Sequence, residues 1–187
     1  MDNREKILNC ALELFHARGY DAVGVQEIAE TAGVTKPTLY YYFGNKRGLL
    51  EALLSREYAE FRSEVFDGRD EKEQIWLTLP KIASAYVDYG MNHRKSYMLM
   101  MSLFYSAREN EAYQSVKPFV EDLYQNMVRL FMGASSQLGN MNGRQEQFAL
   151  RFTGMLDHYI LLMAARDEVI SKLPKPAEPD DNGDDER

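Results

Sequence analysis

Residues Thr31 to Phe43 read Thr-Ala-Gly-Val-Thr-Lys-Pro-Thr-Leu-Tyr-Tyr-Tyr-Phe, and this stretch decides the fold of the N-terminal part of the chain. Gly33 can leave a helix with a positive φ at no steric cost, and Thr35 is a good N-cap for the helix that follows. Leu39 and Phe43 are four residues apart, so they share one helix face and can pack inward. The stretch predicts the turn and second helix of a helix-turn-helix, the element that enters the DNA major groove.

The residues around this turn support the same interpretation. Three apolar residues at helical spacing give the preceding segment a short apolar face: Val25, Ile28 and Ala29. Pro37 is tolerated in a first helical turn, where its missing N–H has no partner within the helix. The segment from 31 to 48 has no acidic residue and three basic ones: Lys36, Lys46 and Arg47. A surface that faces DNA phosphates needs this charge, so we predict that the segment Val25–Tyr42 reads DNA.

The same run resembles the tetracycline-repressor (TetR) family of bacterial regulators. The positions that carry the resemblance are Ile28-Ala29, the run from Ala32 to Phe43, Asn45-Lys46 and Leu49-Leu50, with Phe15 and Gly19-Tyr20 ending the first helix. They cover roughly Asn3 to Leu54, under a third of the chain. The family usually has Thr or Ser near Val23-Gly24. Since this chain has neither there, we expect Gly24 to cap the second helix and assign no side-chain phosphate contact at that point.

The resemblance implies a cytoplasmic homodimer that regulates transcription by binding double-stranded DNA at a near-palindromic operator. A repressor released from its operator by a small apolar or amphipathic effector is the form that the family favours. An activator would use the same DNA contacts and stays an alternative. A second alternative is a helical ligand- or protein-binding module without DNA binding, against which the intact Lys36, Tyr40–Tyr42 and Lys46 argue.

Eight residues are predicted to contact DNA. Four are assigned to base edges: Lys36, Pro37, Thr38 and Tyr41. Three are assigned to phosphates: Tyr40, Tyr42 and Lys46. Thr35 is predicted to cap the recognition helix and to lie near the DNA backbone as well.

The charge distribution is compatible with DNA binding although the formal net charge is −7. Residues 178–187 hold six acids and one Arg, and residues 1–48 hold six acids and six bases. DNA binding requires a local positive potential and not a basic protein, so the acidic terminus does not argue against it.

Other classes of function find no support in the sequence. The start of the chain has no apolar signal-peptide core, no stretch reaches the ~18 apolar residues that span a bilayer, and Cys10 is the only cysteine. These features predict a cytoplasmic protein without a membrane partner. There is no phosphate-binding Gly-Lys-Ser/Thr loop or Gly-x-Ser-x-Gly elbow, and three histidines are scattered over different predicted helices: His16, His93 and His158. We therefore predict no enzyme activity, catalytic residue, metal or cofactor.

The hydrophobic pattern predicts an all-α fold. Residues 1–48 are predicted to form an N-terminal three-helix helix-turn-helix domain, and helix 4, about 46–66, to link it to a larger helical domain at 49–173. The family resemblance implies that this larger domain binds the effector and mediates dimerisation. Residues 174–187 are too polar to bury and are predicted to be a disordered acidic tail. The segment Ile75–Met91 is helical with Pro80 inside it, so either the helix kinks or two helices meet there.

Two surfaces of the larger domain are candidates for binding. The segment 96–107 is apolar on every side, which predicts burial on every side. Its methionines and aromatics either fill the core or line an effector cavity, and the family resemblance favours a cavity. The predicted ligand-binding residues are Tyr86, Met98, Met101, Phe104, Tyr105 and Phe131. The last two helices, about 116–138 and 144–172, are predicted to form a four-helix bundle with a partner through Phe148, Phe152, Met155 and Tyr159.

Overall fold

The computed structural model describes residues 2–68, 73–139 and 141–171, and for 167–171 it describes the backbone alone. All regular secondary structure in these ranges is α-helical, which confirms the predicted fold class. The helices are α1 Asn3–Arg18, α2 Val25–Thr31, α3 Lys36–Phe43, α4 Lys46–Phe66, α5 Ile75–Asn92, α6 Arg94–Phe104, α7 Glu111–Gly133 and α8 Gln145–Ser171. None of these described helices is long and apolar enough to cross a membrane. The predicted tail at 174–187 lies outside the described residues.

The helix-turn-helix forms through local signals in the sequence. Gly33 adopts a φ of +66° in the turn between α2 and α3, a conformation that favours glycine. The Oγ1 of Thr35 accepts a hydrogen bond from the Thr38 N–H at 3.3 Å, so the predicted N-cap is confirmed. The side chain of Asn45 caps α4 in the same way, accepting from the Gly48 N–H at 2.7 Å. These caps fix where the recognition helix begins and where α4 leaves it.

One apolar core joins the helix-turn-helix to later helices. Phe15 of α1, Leu39 of α3 and Leu50 of α4 are buried together in it. Leu103 of α6 and Val116 of α7 belong to the same core. The core of the first three helices is thus completed by residues from the second half of the chain, and the predicted boundary at 48/49 falls within α4.

A second apolar core lies among α4, α5, α6, α7 and α8. Phe61 of α4 contacts both Tyr86 and Tyr89 of α5, with ring centroids 5.1 Å apart in each pair. Gly90 lets α5 approach α8, because a Cβ at this position would lie 2.6 Å from the Cδ1 of Ile160. α4 contributes residues to both cores and therefore connects them physically.

In the larger domain, the structure decides the open alternative for α5, displaces α7 from its predicted bounds and shows that one prediction about burial is wrong. Residues Ile75–Asn92 form a single helix through Pro80, which settles the alternative of two helices meeting there. α7 begins five residues before 116, because the Asn110 side chain caps it by accepting from the Ala112 N–H at 2.9 Å, and it ends five residues before 138. The segment 96–107 is not buried on every side, since Tyr105 is 73% exposed where α6 borders a cavity.

Candidate DNA-binding surface and internal cavity

The recognition helix α3 separates its apolar residues from its DNA-reading candidates. Leu39 and Phe43 face the core, as predicted, while Lys36 and Pro37 are exposed at its first turn. Tyr41 is 84% exposed, the largest value among the exposed large hydrophobic residues. A tyrosine this exposed contributes almost nothing to the fold, so its side chain is available for a partner.

The neighbouring side chains of α3 already have partners within the helix. The Oγ1 of Thr38 lies 2.8 Å from the Oγ1 of Thr35, so the two predicted contact residues form one hydroxyl pair at the helix start. The Nζ of Lys36 lies 5.6 Å from the ring centroid of Tyr40, within the range of a cation–π contact. These contacts hold polar groups at the exposed N-terminal end of α3, where backbone N–H groups also favour a phosphate.

Lys46, which the sequence assigns to a DNA phosphate, packs on the aromatic ring of Tyr20. Its Nζ lies 4.2 Å from the ring centroid of Tyr20, whose hydroxyl donates a hydrogen bond to Glu111. Burial lowers the pKa of Lys46, and the nearby charges of Asp21 and Glu111 oppose that shift. The ammonium packs on Tyr20 and Lys46 is only partly exposed, so the phosphate contact of Lys46 stays a prediction.

The larger domain encloses a cavity with a volume of about 480 Å³ between α4, α5, α6, α7 and α8. This volume is within the range of small-molecule sites. Half of the twenty lining residues are aromatic. The lining residues are Tyr58, Phe61, Tyr86, Tyr89, Tyr97, Met100, Met101, Phe104, Tyr105, Tyr113, Lys117, Phe119, Val120, Glu121, Leu123, Tyr124, Leu150, Thr153, Gly154 and Asp157.

Four of the six predicted ligand-binding residues line this cavity: Tyr86, Met101, Phe104 and Tyr105. Met98 and Phe131 pack within the second core and do not line the cavity, so these two predicted ligand contacts are not among its walls. Phe131 contacts Phe148 and Phe152 of α8, with ring centroids 6.2 Å and 5.9 Å apart. Periodicity along one helix cannot separate a core position from a cavity wall, since that distinction depends on the helix packed opposite.

Asp157, which is partly buried, adds a carboxylate to the cavity wall, and the sequence analysis missed it. Its Oδ1 accepts hydrogen bonds from the hydroxyls of Tyr86 and Tyr97, each at 2.6 Å. Burial raises the pKa values of both tyrosines, so both phenols stay protonated and donate. Burial also raises the pKa of Asp157, and the two hydrogen bonds oppose that rise. The available sequence signal was an acid, next to His158, within the otherwise apolar run 155–164.

The predicted dimer residues lie along α8, and three of the four reach the surface. Met155 is 59% exposed and Tyr159 is 48% exposed, with Phe148 beside them. Phe152 is only partly buried and packs on Phe131 of the same chain. The exposed members form an apolar stripe at helical spacing, the kind of surface that a second copy of a helix can cover.

One further group of side chains has the composition of a metal site. The Nδ1 of His93 lies 3.6 Å from a carboxylate oxygen of Glu60, and its Nε2 lies 3.5 Å from one of Glu64. The two nitrogens face different carboxylates, and His93 stacks on Tyr89 with ring centroids 4.4 Å apart. This arrangement ties α4 to the junction of α5 and α6 through the imidazole itself.

Comparison with known proteins identifies the N-terminal part. The pattern of the family described as bacterial regulatory proteins, tetR family, matches residues 7–53. The uncharacterized HTH-type transcriptional regulator YvkB of Bacillus subtilis (strain 168) is 28% identical over 172 residues, 89% of this chain and 86% of that protein. The class D tetracycline repressor protein of Escherichia coli is 43% identical over 75 residues, 40% of this chain but only 34% of the repressor. These relatives are named for gene regulation and not for an enzymatic activity.

A solved structure shares the architecture of most of the chain. The structure of AibR in complex with isovaleryl coenzyme A and operator DNA superimposes with a TM-score of 0.67 at 22% identity, over 83% of this chain and 84% of that one. At this identity the likeness establishes the fold. The likeness in fold therefore covers the helix-turn-helix and most of the larger α-helical domain that follows it.

Proposed function

We propose that this chain is a DNA-binding transcriptional regulator of the TetR family, which represses transcription from a near-palindromic operator and is released by a small apolar or amphipathic effector. The observation that carries this proposal is the position of α6. Leu103 of α6 completes the core under the helix-turn-helix, while Met101 and Phe104 of the same helix line the cavity. A molecule that fills the cavity therefore presses on α6, which packs against α1 of the DNA-binding domain.

The DNA contacts of the proposal follow the exposed side of α3. Lys36, Pro37, Thr38 and Tyr41 are assigned to base edges, and Tyr40, Tyr42 and Lys46 to phosphates. Thr35 caps α3 and presents the helix start to the backbone. The exposure of Tyr41 and the basic, acid-free segment 31–48 support these roles.

The proposed assembly is a homodimer that places two recognition helices on one operator. The exposed stripe of Met155 and Tyr159 on α8 supports an isologous interface, in which α7 and α8 of two chains form a four-helix bundle. A two-fold dimer requires an operator with matching two-fold symmetry, with half-sites about 34–36 Å apart. In such a dimer, a small change in the distance between the two recognition helices has a large effect on DNA affinity, because both helices must fit their half-sites at once.

Two known proteins are consistent with parts of the proposed regulation. The class D tetracycline repressor is a repressor by name, and the AibR structure shows a protein of this fold with isovaleryl coenzyme A and operator DNA. In this chain, α4 links the two parts as well: Tyr58 and Phe61 line the cavity, and Leu50 lies under the helix-turn-helix. A shift of α4 or α6 changes the distance between the two recognition helices.

The decisive experiment is a gel shift with DNA flanking the gene of this protein, with and without apolar compounds. We expect a salt-sensitive shift that a random fragment of equal length competes poorly, and a loss of the shifted band when an effector is added. The double variant Lys36→Ala/Tyr41→Ala should lose the shift while keeping its helical circular dichroism. Equal binding to operator-region and random DNA would contradict the assignment, and a reporter gene on the same fragment separates repression from activation.

A further inference from the structure

We propose that the cavity selects an apolar organic cation, and that Asp157 is the group that meets its positive charge. This inference rests on the proposed effector function and specifies the chemical class of the effector. It follows from three features of the cavity: a partly buried acid in its wall, a lysine that is already paired with a glutamate, and an aromatic lining.

Asp157 forms no ion pair with a described basic residue. Its two hydrogen-bond donors among the described residues, Tyr86 and Tyr97, are both neutral and both bind Oδ1. Burial is the first cause of its raised pKa, and no lysine or arginine contributes to the shift. The Oδ2 of Asp157 accepts no hydrogen bond from any residue in the described ranges. A carboxylate in this position gains most from a ligand that brings a positive charge, because charges interact strongly away from bulk water.

The rim of the cavity contributes no net positive charge. Lys117 and Glu121 lie one turn apart on α7, with Nζ and Oε1 at 3.5 Å, and both side chains are solvent-exposed. Their charges offset each other, and solvent screens what remains. A carboxylic acid that entered the cavity would therefore meet Asp157, while the cation Lys117 in the described lining is already paired with Glu121.

The aromatic wall favours a cation over a polar neutral ligand. Two cavity tyrosines have hydroxyls that already donate within the protein: Tyr58 to an Asp122 oxygen at 2.8 Å, and Tyr89 to the Glu57 carbonyl at 3.0 Å. A ligand therefore meets the rings of these tyrosines and not free hydroxyl groups. Aromatic rings attract organic cations through their quadrupoles, and they accept the apolar part of the same ligand.

The test compares three probes that share a ten-carbon chain: decyltrimethylammonium, decan-1-ol and decanoate. Each is titrated calorimetrically into the full-length chain below the concentration at which the probe forms micelles. We expect decyltrimethylammonium to bind at least about tenfold more tightly than either of the other two. In Asp157→Asn, which keeps the shape and an acceptor for the tyrosines, the cation should lose that advantage while decan-1-ol stays within about twofold.

A matched control makes the result specific to Asp157. Asp122 also accepts a hydrogen bond from a cavity tyrosine but does not line the cavity, so Asp122→Asn should preserve the preference for the cation. Equal affinities of the wild-type chain for the cation and the alcohol would overturn the proposal. The proposal would also be overturned if the Asp157→Asn variant still preferred the cation while a cooperative thermal unfolding transition showed that it is folded.

The outcomes also separate this inference from the proposed function. If decanoate binds most tightly and releases operator DNA, the cation assignment is wrong and the effector function stands. If none of the probes binds, the cation assignment is wrong, and the gel shift of the ligand-free protein tests DNA binding independently. The comparison of probes on the wild-type chain needs no variant, so an Asp157→Asn that fails to fold leaves the proposal testable.

Discussion

Tyr41 is the residue at which the structure separates stability from recognition most cleanly. It is 84% exposed on α3, whereas Leu39 of the same helix is fully buried. Tyr41→Ala should leave the free energy of unfolding nearly unchanged and cost on the order of 1–3 kcal/mol at one operator position. Binding to a set of single-base operator variants measures this loss. Tyr105→Ala, at another exposed tyrosine outside α3, is the control and should bind operator normally.

Lys46 tests whether a side chain packed on an aromatic ring turns toward DNA. If the ammonium leaves Tyr20 for a phosphate, Lys46→Ala should weaken binding about equally across sequences. The slope of log K against log salt should then fall by about one for each phosphate that the variant no longer neutralises. Lys36→Ala, whose ammonium is exposed at the start of α3, provides the comparison. An unchanged salt slope for Lys46→Ala alone would show that Lys46 stays on Tyr20 as a structural contact.

At the scale of elements, α6 connects the two cores. A substitution that removes packing of α6 should therefore destabilise both cores together. Leu103 is buried in the first core, so Leu103→Ala should lower the free energy of unfolding by about 2–5 kcal/mol. Ser102→Ala, exposed on the same helix, should change it by less than about 0.5 kcal/mol. Urea unfolding followed by circular dichroism measures both variants. Two separate transitions, with only the first shifted by Leu103→Ala, would show that α6 does not couple the cores.

The elements that the sequence predicted well are those set by neighbouring residues. Thr35 caps α3 within one turn, and Gly33 needs only its own φ. The start of α7 at the Asn110 cap was missed, although its signal is equally local, because the apolar repeat begins further along the chain. The cavity wall could not be predicted from any one helix. Asp157 and Tyr97, sixty residues apart in sequence, meet only because α6 and α8 both pack against α5.

At the scale of the molecule, the apolar stripe on α8 predicts the assembly. Met155→Glu or Tyr159→Glu should place two like charges near the two-fold axis of the proposed dimer and shift it toward monomers. Light scattering over a range of concentrations measures the change. Ser63→Glu adds the same charge at an exposed position of α4 and should leave the dimer intact. A dimer that persists in both α8 variants would place the interface on another face.

The regulation itself is a property of the whole molecule, because cavity and DNA surface share no residue. If filling the cavity favours a spacing of recognition helices that misfits the operator, thermodynamic linkage requires the converse: operator DNA must weaken effector binding by the same factor. We expect that factor to be about 5–150-fold. It is measured by titrating decyltrimethylammonium into the free protein and into its operator complex, and operator affinity is then measured at saturating probe. Equal probe affinity in the two titrations would show that the cavity and the DNA surface are not energetically coupled. If the factor by which operator DNA weakens probe binding differs from the factor by which the probe weakens operator binding, the two experiments do not end in the same complex. The oligomeric state would then differ between them.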